Sequence, residues 1–178
     1  LDETDSVGFD ARKAFSLDVL SNVTKDASPK GTLDSHIEPI VSVINGMRDF
    51  YTTSSCSGRI SIMSQPLERT KGGKWLLVTH DKINYSEAKE ALINLSNFSS
   101  STAPTASVAP MGGEDLVVFR FEPMVLSVEC RTLALADRLV QRAILCGFRE
   151  SGISSVKKRV MATLRTSLRL EAPVGKGG

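Results

Sequence analysis

Cysteine is scarce in this chain: Cys56, Cys130 and Cys146 are the three present, widely spaced and with no CxxC pair. That excludes a disulfide framework and fits a reducing compartment, so a cytoplasmic location is expected. Histidine is scarcer, with only His36 and His80. So thin a supply argues against a structural zinc site, which takes three or four such ligands. No run approaches the roughly 18 consecutive apolar residues that a membrane-spanning helix needs. The N-terminus has neither the basic nor the apolar stretch of a signal peptide, and it begins at Leu1 rather than methionine, as expected of a piece of a larger polypeptide. No GxGxxG follows a strand and no GKS or GKT loop occurs, so the common dinucleotide and nucleoside-triphosphate fingerprints are missing. Charge is nearly balanced, 22 basic against 20 acidic residues for a net +2, which permits a nucleic-acid partner without demanding one.

What is present is ordinary globular material: 178 residues, 41% hydrophobic and 24% charged, enough for a core of useful size. Residues 9–24 have helical spacing, with Phe9, Ala14 or Phe15, Leu17, and Leu20 or Val19 facing inward. A polar segment with Pro29 and Gly31 must be a loop. Asp34 is placed to cap a second helix carrying Ile37, Ile40, Val41, Ile44 and Met47. Residues 50–57 look extended, and RISIMS and KWLLVTH read as strands. SEAKEALINL is a short helix, and DLVVFRF and MVLSVEC are two further strands. RTLALADRLVQRAILCG gives the clearest helix, with Leu133, Ala136, Leu139 or Val140, Ala143 and Ile144 inward and Gly147 as a C-terminal cap. Residues 153–156 suit a short strand and 158–171 a longer one whose wet face carries Arg165 and Arg169. Residues 96–113, rich in Ser, Thr, Ala, Pro and Gly, are expected to be a mobile loop, and 174–178 a disordered tail. These elements lack a regular βαβ rhythm. The expected fold is therefore α/β of the α+β kind: a single compact domain over 1–178 with a mixed β-sheet packed by three main helices.

The stretch SSCSGR at 54–59 is the first candidate site. Ser54, Ser55 and Ser57 offer hydroxyls, amides near Gly58 can form an anion-binding nest, and Arg59 brings a fork of donors suited to phosphate or carboxylate. A polar turn running into a strand explains the same residues. A nucleophilic Cys56 would need a base, and only the two histidines are on offer. Trp75, after KGGK, can stack on a base or fill the core. His80, at a strand end, can move a proton or be structural. Asp26 and Lys30, and likewise Arg149 and Ser151, are anion or amine contacts or ordinary turn residues. Lys157, Lys158, Arg159, Arg165 and Arg169 crowd the last quarter, as a solvated face or a phosphate-binding one.

The same residues carry a resemblance. DASPKG at 26–31, DFYTTSSCSGRI at 49–60, KGGKWLLVTHD at 71–81, FEPMVLSVECR at 121–131, GFRESGI at 147–153 and LRTSLRLEAP at 164–173 resemble the tRNA wybutosine-synthesising protein 3 family. The resemblance implies an S-adenosylmethionine-dependent methyltransferase acting on N4 of the tricyclic 4-demethylwyosine-type base at position 37 of phenylalanine tRNA. It implies a fold unlike the common Rossmann-like methyltransferase sheet, in line with the missing glycine fingerprint. On this reading Asp26, His80 and Ser55 are the catalytic candidates. Lys30, Ser54, Ser57, Gly58, Arg59, Trp75, Arg149 and Ser151 bind cofactor or substrate, no metal is used, and the five late cations contact tRNA phosphates. Fusion to other enzymes of the pathway is also expected. Ser127 departs from the family, which usually has histidine there. The alternative is a non-catalytic tRNA-binding domain of a larger modification enzyme, separable from the first reading by measuring cofactor binding. A plain interaction domain would leave the glycine- and arginine-bearing clusters unexplained.

Overall fold

The computed structural model describes residues 6–21, 33–66, 73–98 and 115–177. Among them are four helices and eight strands: α1 (Ser6–Ser21), α2 (Glu38–Gly46), β1 (Phe50–Cys56), β2 (Arg59–Pro66), β3 (Lys74–Thr79), α3 (Tyr85–Phe98), β4 (Asp115–Glu122), β5 (Val125–Cys130), α4 (Leu133–Leu145), β6 (Gly152–Ser155), β7 (Val160–Arg165) and β8 (Leu170–Gly177). The α+β class stands. The strands form two four-stranded sheets, ordered β1-β5-β7-β6 and β3-β2-β4-β8, and every pairing is antiparallel. The expectation of one mixed sheet is corrected in that detail. Parallel neighbours need long crossovers, whereas the consecutive strands that pair, β2 with β3 and β6 with β7, are joined by only a few residues.

The chain divides into two compact units. Unit 1 takes residues 1–57 and 123–167, and unit 2 takes 58–122 and 168–178. In unit 1, Ile37, Val41 and Ile44 of α2 and Ala136 and Ala143 of α4 bury one face of the first sheet, against Leu126, Val128, Ala162 and Leu164. Each fully buried Leu, Ile or Val contributes roughly 1.5–3 kcal/mol. Thr132 caps α4 through its side chain, accepting from the Leu135 amide. At the other end Gly147 takes φ 96°. Its amide donates to Ile144 and the Phe148 amide to Ala143, which closes the helix as the sequence suggests. In unit 2, α3 packs through Ala88, Ala91 and Leu92 on Ile62, Val117 and Phe119. Asn84 and Glu87 cap it reciprocally: each side chain accepts from the other's amide, at 2.7 and 3.0 Å.

Several expectations need correction. Ile40 and Met47 of the second helical stripe and Leu133 and Ile144 of the α4 stripe do not face inward; they are 37%, 44%, 37% and 42% exposed. Phe15 and Leu20 of α1 do not face inward; they are 68% and 43% exposed. The inward face carries Phe9 and Arg12, because Arg12 donates to the buried Glu129 carboxylate. Asp34 does not cap α2 with its side chain. Ile37 holds the cap position without a side-chain bond, and Asp34 is engaged elsewhere. The long strand expected over 158–171 is two strands, β7 and β8, one in each sheet. The supposed tail is part of β8, paired with β4 from Leu170 through Gly177. Of the expected loop at 96–113, residues 96–98 belong to α3 and the remainder lies outside the described residues. No helix among the described residues is long and apolar enough to cross a membrane.

Candidate functional site

The serine-rich end of β1 is shaped by a bulge. Thr52 pairs with Val128 and Ser54 with Ser127, leaving Thr53 as the extra residue. Side chains alternate along a strand, so the extra residue exchanges the faces taken by the residues after it. Ser55, opposite Leu126, shares the α2–α4 face, while Ser54 shares the other face with Ser127 and Thr163. Thr53 donates to the Ser127 carbonyl at 3.3 Å. Ser127 therefore lies beside Ser54.

Ser57 closes the segment. Its amide and its hydroxyl both donate to Asp34 Oδ2 at 3.2 Å, and Asp34 is only 8% exposed. A buried carboxylate thus fixes the backbone where the serine cluster ends. Sequence reasoning gave Asp34 only a cap role, because an Asp before an apolar helical stripe reads that way. The backbone carbonyl of Asp34 does open the turn into α2, accepting from Ile37 at 3.0 Å and Glu38 at 3.2 Å.

In unit 2, Gly58 is buried and has φ 101°, in the region side chains disfavour. Its carbonyl lies 2.6 Å from His80 Nδ1. A carbonyl only accepts, so Nδ1 is the donor in this contact. Arg59 is ion-paired through Nε with Glu122, and its guanidinium sits 5.5 Å from the Trp75 ring centre. Trp75 is 47% exposed, so it does not fill the core. Its face is offered to a cation here.

Elsewhere in unit 1, Ser151 accepts from the Arg165 amide at 3.2 Å, and Glu150 pairs with the Arg165 guanidinium at 3.3 Å. Arg149 is exposed in the same turn. Lys157, Lys158 and Arg159 occupy the β6–β7 turn, Arg165 ends β7, and Arg169 belongs to unit 2, paired with Glu171 at 2.7 Å. The five cations are therefore one cluster of three and two separate residues. Asp26 and Lys30 lie outside the described residues.

Sequence reasoning missed a buried polar knot. Glu129 is 1% exposed; its Oε1 accepts from Arg12 Nε at 2.9 Å and NH2 at 2.8 Å, and its Oε2 accepts the Tyr51 hydroxyl. Phe9 meets Tyr51 edge-on at 5.3 Å. Arg131 lies over the Phe9 ring at 4.4 Å and bonds Asp10 at 2.5 Å and Asp49 at 2.7 Å. Its guanidinium holds the Asp10 carboxyl below the usual carboxylate range. Together these contacts pin α1 to the sheet. Burial, then the Glu129 carboxylate, pushes the Tyr51 hydroxyl from 10.0 up to about 12. A folded-state value above the unfolded one stabilises the fold fully below pH about 10, and that contribution is lost as pH rises toward about 12. In a Tyr85→Phe variant, which leaves Tyr51 as the only tyrosine, tyrosinate absorbance should rise only as the pH nears about 12. A midpoint near 10 with the fold intact would contradict the knot.

Known proteins resemble this chain over most of its length. The family model described as methyltransferase TYW3 matches residues 11–177. A rice protein named tRNA wybutosine-synthesizing protein 2/3/4 is 40% identical over 94% of this chain, which spans only 16% of that protein. A Thermococcus sibiricus protein is 33% identical over 96% of this chain and 77% of its own length. It is named tRNA(Phe) 7-((3-amino-3-carboxypropyl)-4-demethylwyosine(37)-N(4))-methyltransferase. The solved structure of the PH1069 protein from Pyrococcus horikoshii is similar with a TM-score of 0.75 and 31% identity, covering 96% of this chain and 78% of that one.

Proposed function

This chain belongs to the methyltransferase TYW3 family, and we propose that it transfers a methyl group from S-adenosylmethionine to N4 of the 4-demethylwyosine-type base at position 37 of phenylalanine tRNA. The observation that carries the reading is the match over residues 11–177, reinforced by the named activity of the Thermococcus relative. That match draws on both units, which supports treating 1–178 as one functional domain. The name of the rice relative supports fusion of such a domain to other enzymes of the pathway.

The donor chemistry at the end of β1 fits the methyl donor. Ser55 and Ser57 bring hydroxyls, groups that amino-acid and ribose moieties bond to, with Ser57 held by the buried Asp34 carboxylate; Ser54, on the opposite face of β1, is a separate candidate. Asp26 and Lys30 add a carboxylate and a cation from the DASPKG block. S-adenosylmethionine bound there would supply an electrophilic methyl on a sulfonium and leave as S-adenosylhomocysteine. Positioning of N4 by the chain's own residues can lower a barrier by several kcal/mol, roughly 7–11 at the limit. N4 exchanges a proton for the methyl, and the candidate acceptors of that proton are His80 and Asp26. Arg59, Trp75, Arg149 and Ser151 shape substrate contacts, and Lys157, Lys158, Arg159, Arg165 and Arg169 engage phosphates.

The test is transfer of labelled methyl to phenylalanine tRNA carrying the demethyl precursor, followed by nucleoside mass analysis. A single methyl gained on the tricyclic base is expected. Ser55→Ala and Asp26→Ala should each reduce the rate on the order of 100-fold with the fold retained. Near wild-type rates in both would remove these residues from the site. Methyl-donor binding without any transfer would favour the binding-domain reading within a larger enzyme.

A further inference from the structure

Beside the bulge at Thr53, unit 1 carries a cleft of about 450 Å³ lined by Ala11, Arg12, Phe15, Ser16, Tyr51, Thr53 and Arg159. That volume lies within the range of small-ligand sites, roughly 300–1,000 Å³. Its floor is the Tyr51–Glu129–Arg12 knot, whose carboxylate is already committed. Its wall is Phe15, 68% exposed although the pattern of α1 would send it inward. On its rim Arg159, 54% exposed, approaches Glu129 only at 3.7 Å with one nitrogen, and a guanidinium has five donors. A smaller adjoining recess is bounded by Lys157, Lys158, Arg159 and Arg131. A solvent-facing ring beside a row of cations is the combination that holds single-stranded nucleic acid, with the base on the ring and the phosphate on the cations. The cleft is too small for a duplex and has the size of one unstacked nucleotide.

We propose that this cleft binds one unpaired nucleotide of the RNA substrate, its base against Phe15 and its phosphate on Arg159 with Lys157 and Lys158. The inference rests on the tRNA reading above and adds to it a second contact point, built by α1 and the β6–β7 turn. Unlike the general phosphate contacts, it discriminates loop from helix, because only an unpaired base can leave its stack for the ring.

The test is binding, by fluorescence anisotropy, of a labelled anticodon stem-loop and of a fully paired RNA of equal length, run beside the methyl-transfer assay. Phe15→Ala should weaken stem-loop binding on the order of 10-fold and leave duplex binding unchanged, and Phe15→Tyr should restore it. Arg159→Ala should weaken both and flatten the dependence of log affinity on log salt by about 0.7–0.9. Phe15 is largely exposed, so its variants should fold. Equal stem-loop affinity for wild type and Phe15→Ala, with methyl transfer intact, would overturn the nucleotide cleft and leave the enzyme standing. A folded wild type that neither binds nor methylates would remove the tRNA reading and the cleft with it.

Discussion

Glu129→Ala should destabilise the protein by about 3–5 kcal/mol, the largest loss expected from any single side chain described. The carboxylate is nearly fully buried and receives Arg12 through two nitrogens as well as the Tyr51 hydroxyl. Removing it strands a buried hydroxyl and takes from Arg12 and Arg159 their shared counter-charge. A pair on the surface would be worth far less, about 0–1 kcal/mol; burial decides the magnitude here. Glu129→Gln keeps an acceptor for both neighbours but not the charge, so it should fall between wild type and alanine. Urea unfolding followed by circular dichroism measures both. A shift below about 1 kcal/mol for alanine would mean that water or a neighbour replaces the carboxylate, and α1 would then not be held as described.

The second large effect concerns the reaction. His80→Gln should lower the methyl-transfer rate constant by about 10²- to 10⁴-fold while leaving thermal stability near wild type. Glutamine can still donate to the Gly58 carbonyl, which keeps the scaffold contact. It cannot accept a proton from N4. The readout is a single-turnover rate at saturating tRNA, with tRNA affinity measured separately. If His80→Gln keeps the rate but His80→Ala lowers stability, the histidine braces the turn at Gly58 and the proton goes elsewhere. Asp26 would then be the residue to examine.

Much of the fold is legible where local periodicity and burial agree. The α4 stripe, its glycine stop and the alternation of RISIMS all point to the elements found. Legibility fails where the deciding partner is distant in sequence. Arg12 and Glu129 are 117 positions apart, and Tyr51 and Glu129 are 78 apart. Nothing local to α1 says that an arginine, and not Phe15, belongs inside. Strand alternation runs from Leu164 to Leu170, across the division between β7 and β8, which therefore leaves no mark. Within the candidate site, composition singled out the serines, Gly58 and His80. It could not supply the bulge at Thr53, which decides where Ser54 and Ser55 point, nor the tie from Ser57 to Asp34.

The interleaving of the units also sets a timetable. β1 finds its partner in β5, with Phe50 opposite Cys130, and β5 in turn needs β7. During synthesis, at about 5–20 residues per second, the first sheet waits for roughly 100 further residues after β1 emerges, some 5–20 seconds. Until β5 emerges, roughly 70 residues into that interval, β1 is an unpaired edge, and edges invite wrong partners. Its hydroxyl-rich end, TTSSCS, lowers that hazard while the chain is still on the ribosome, in addition to anything the serines do in the finished fold.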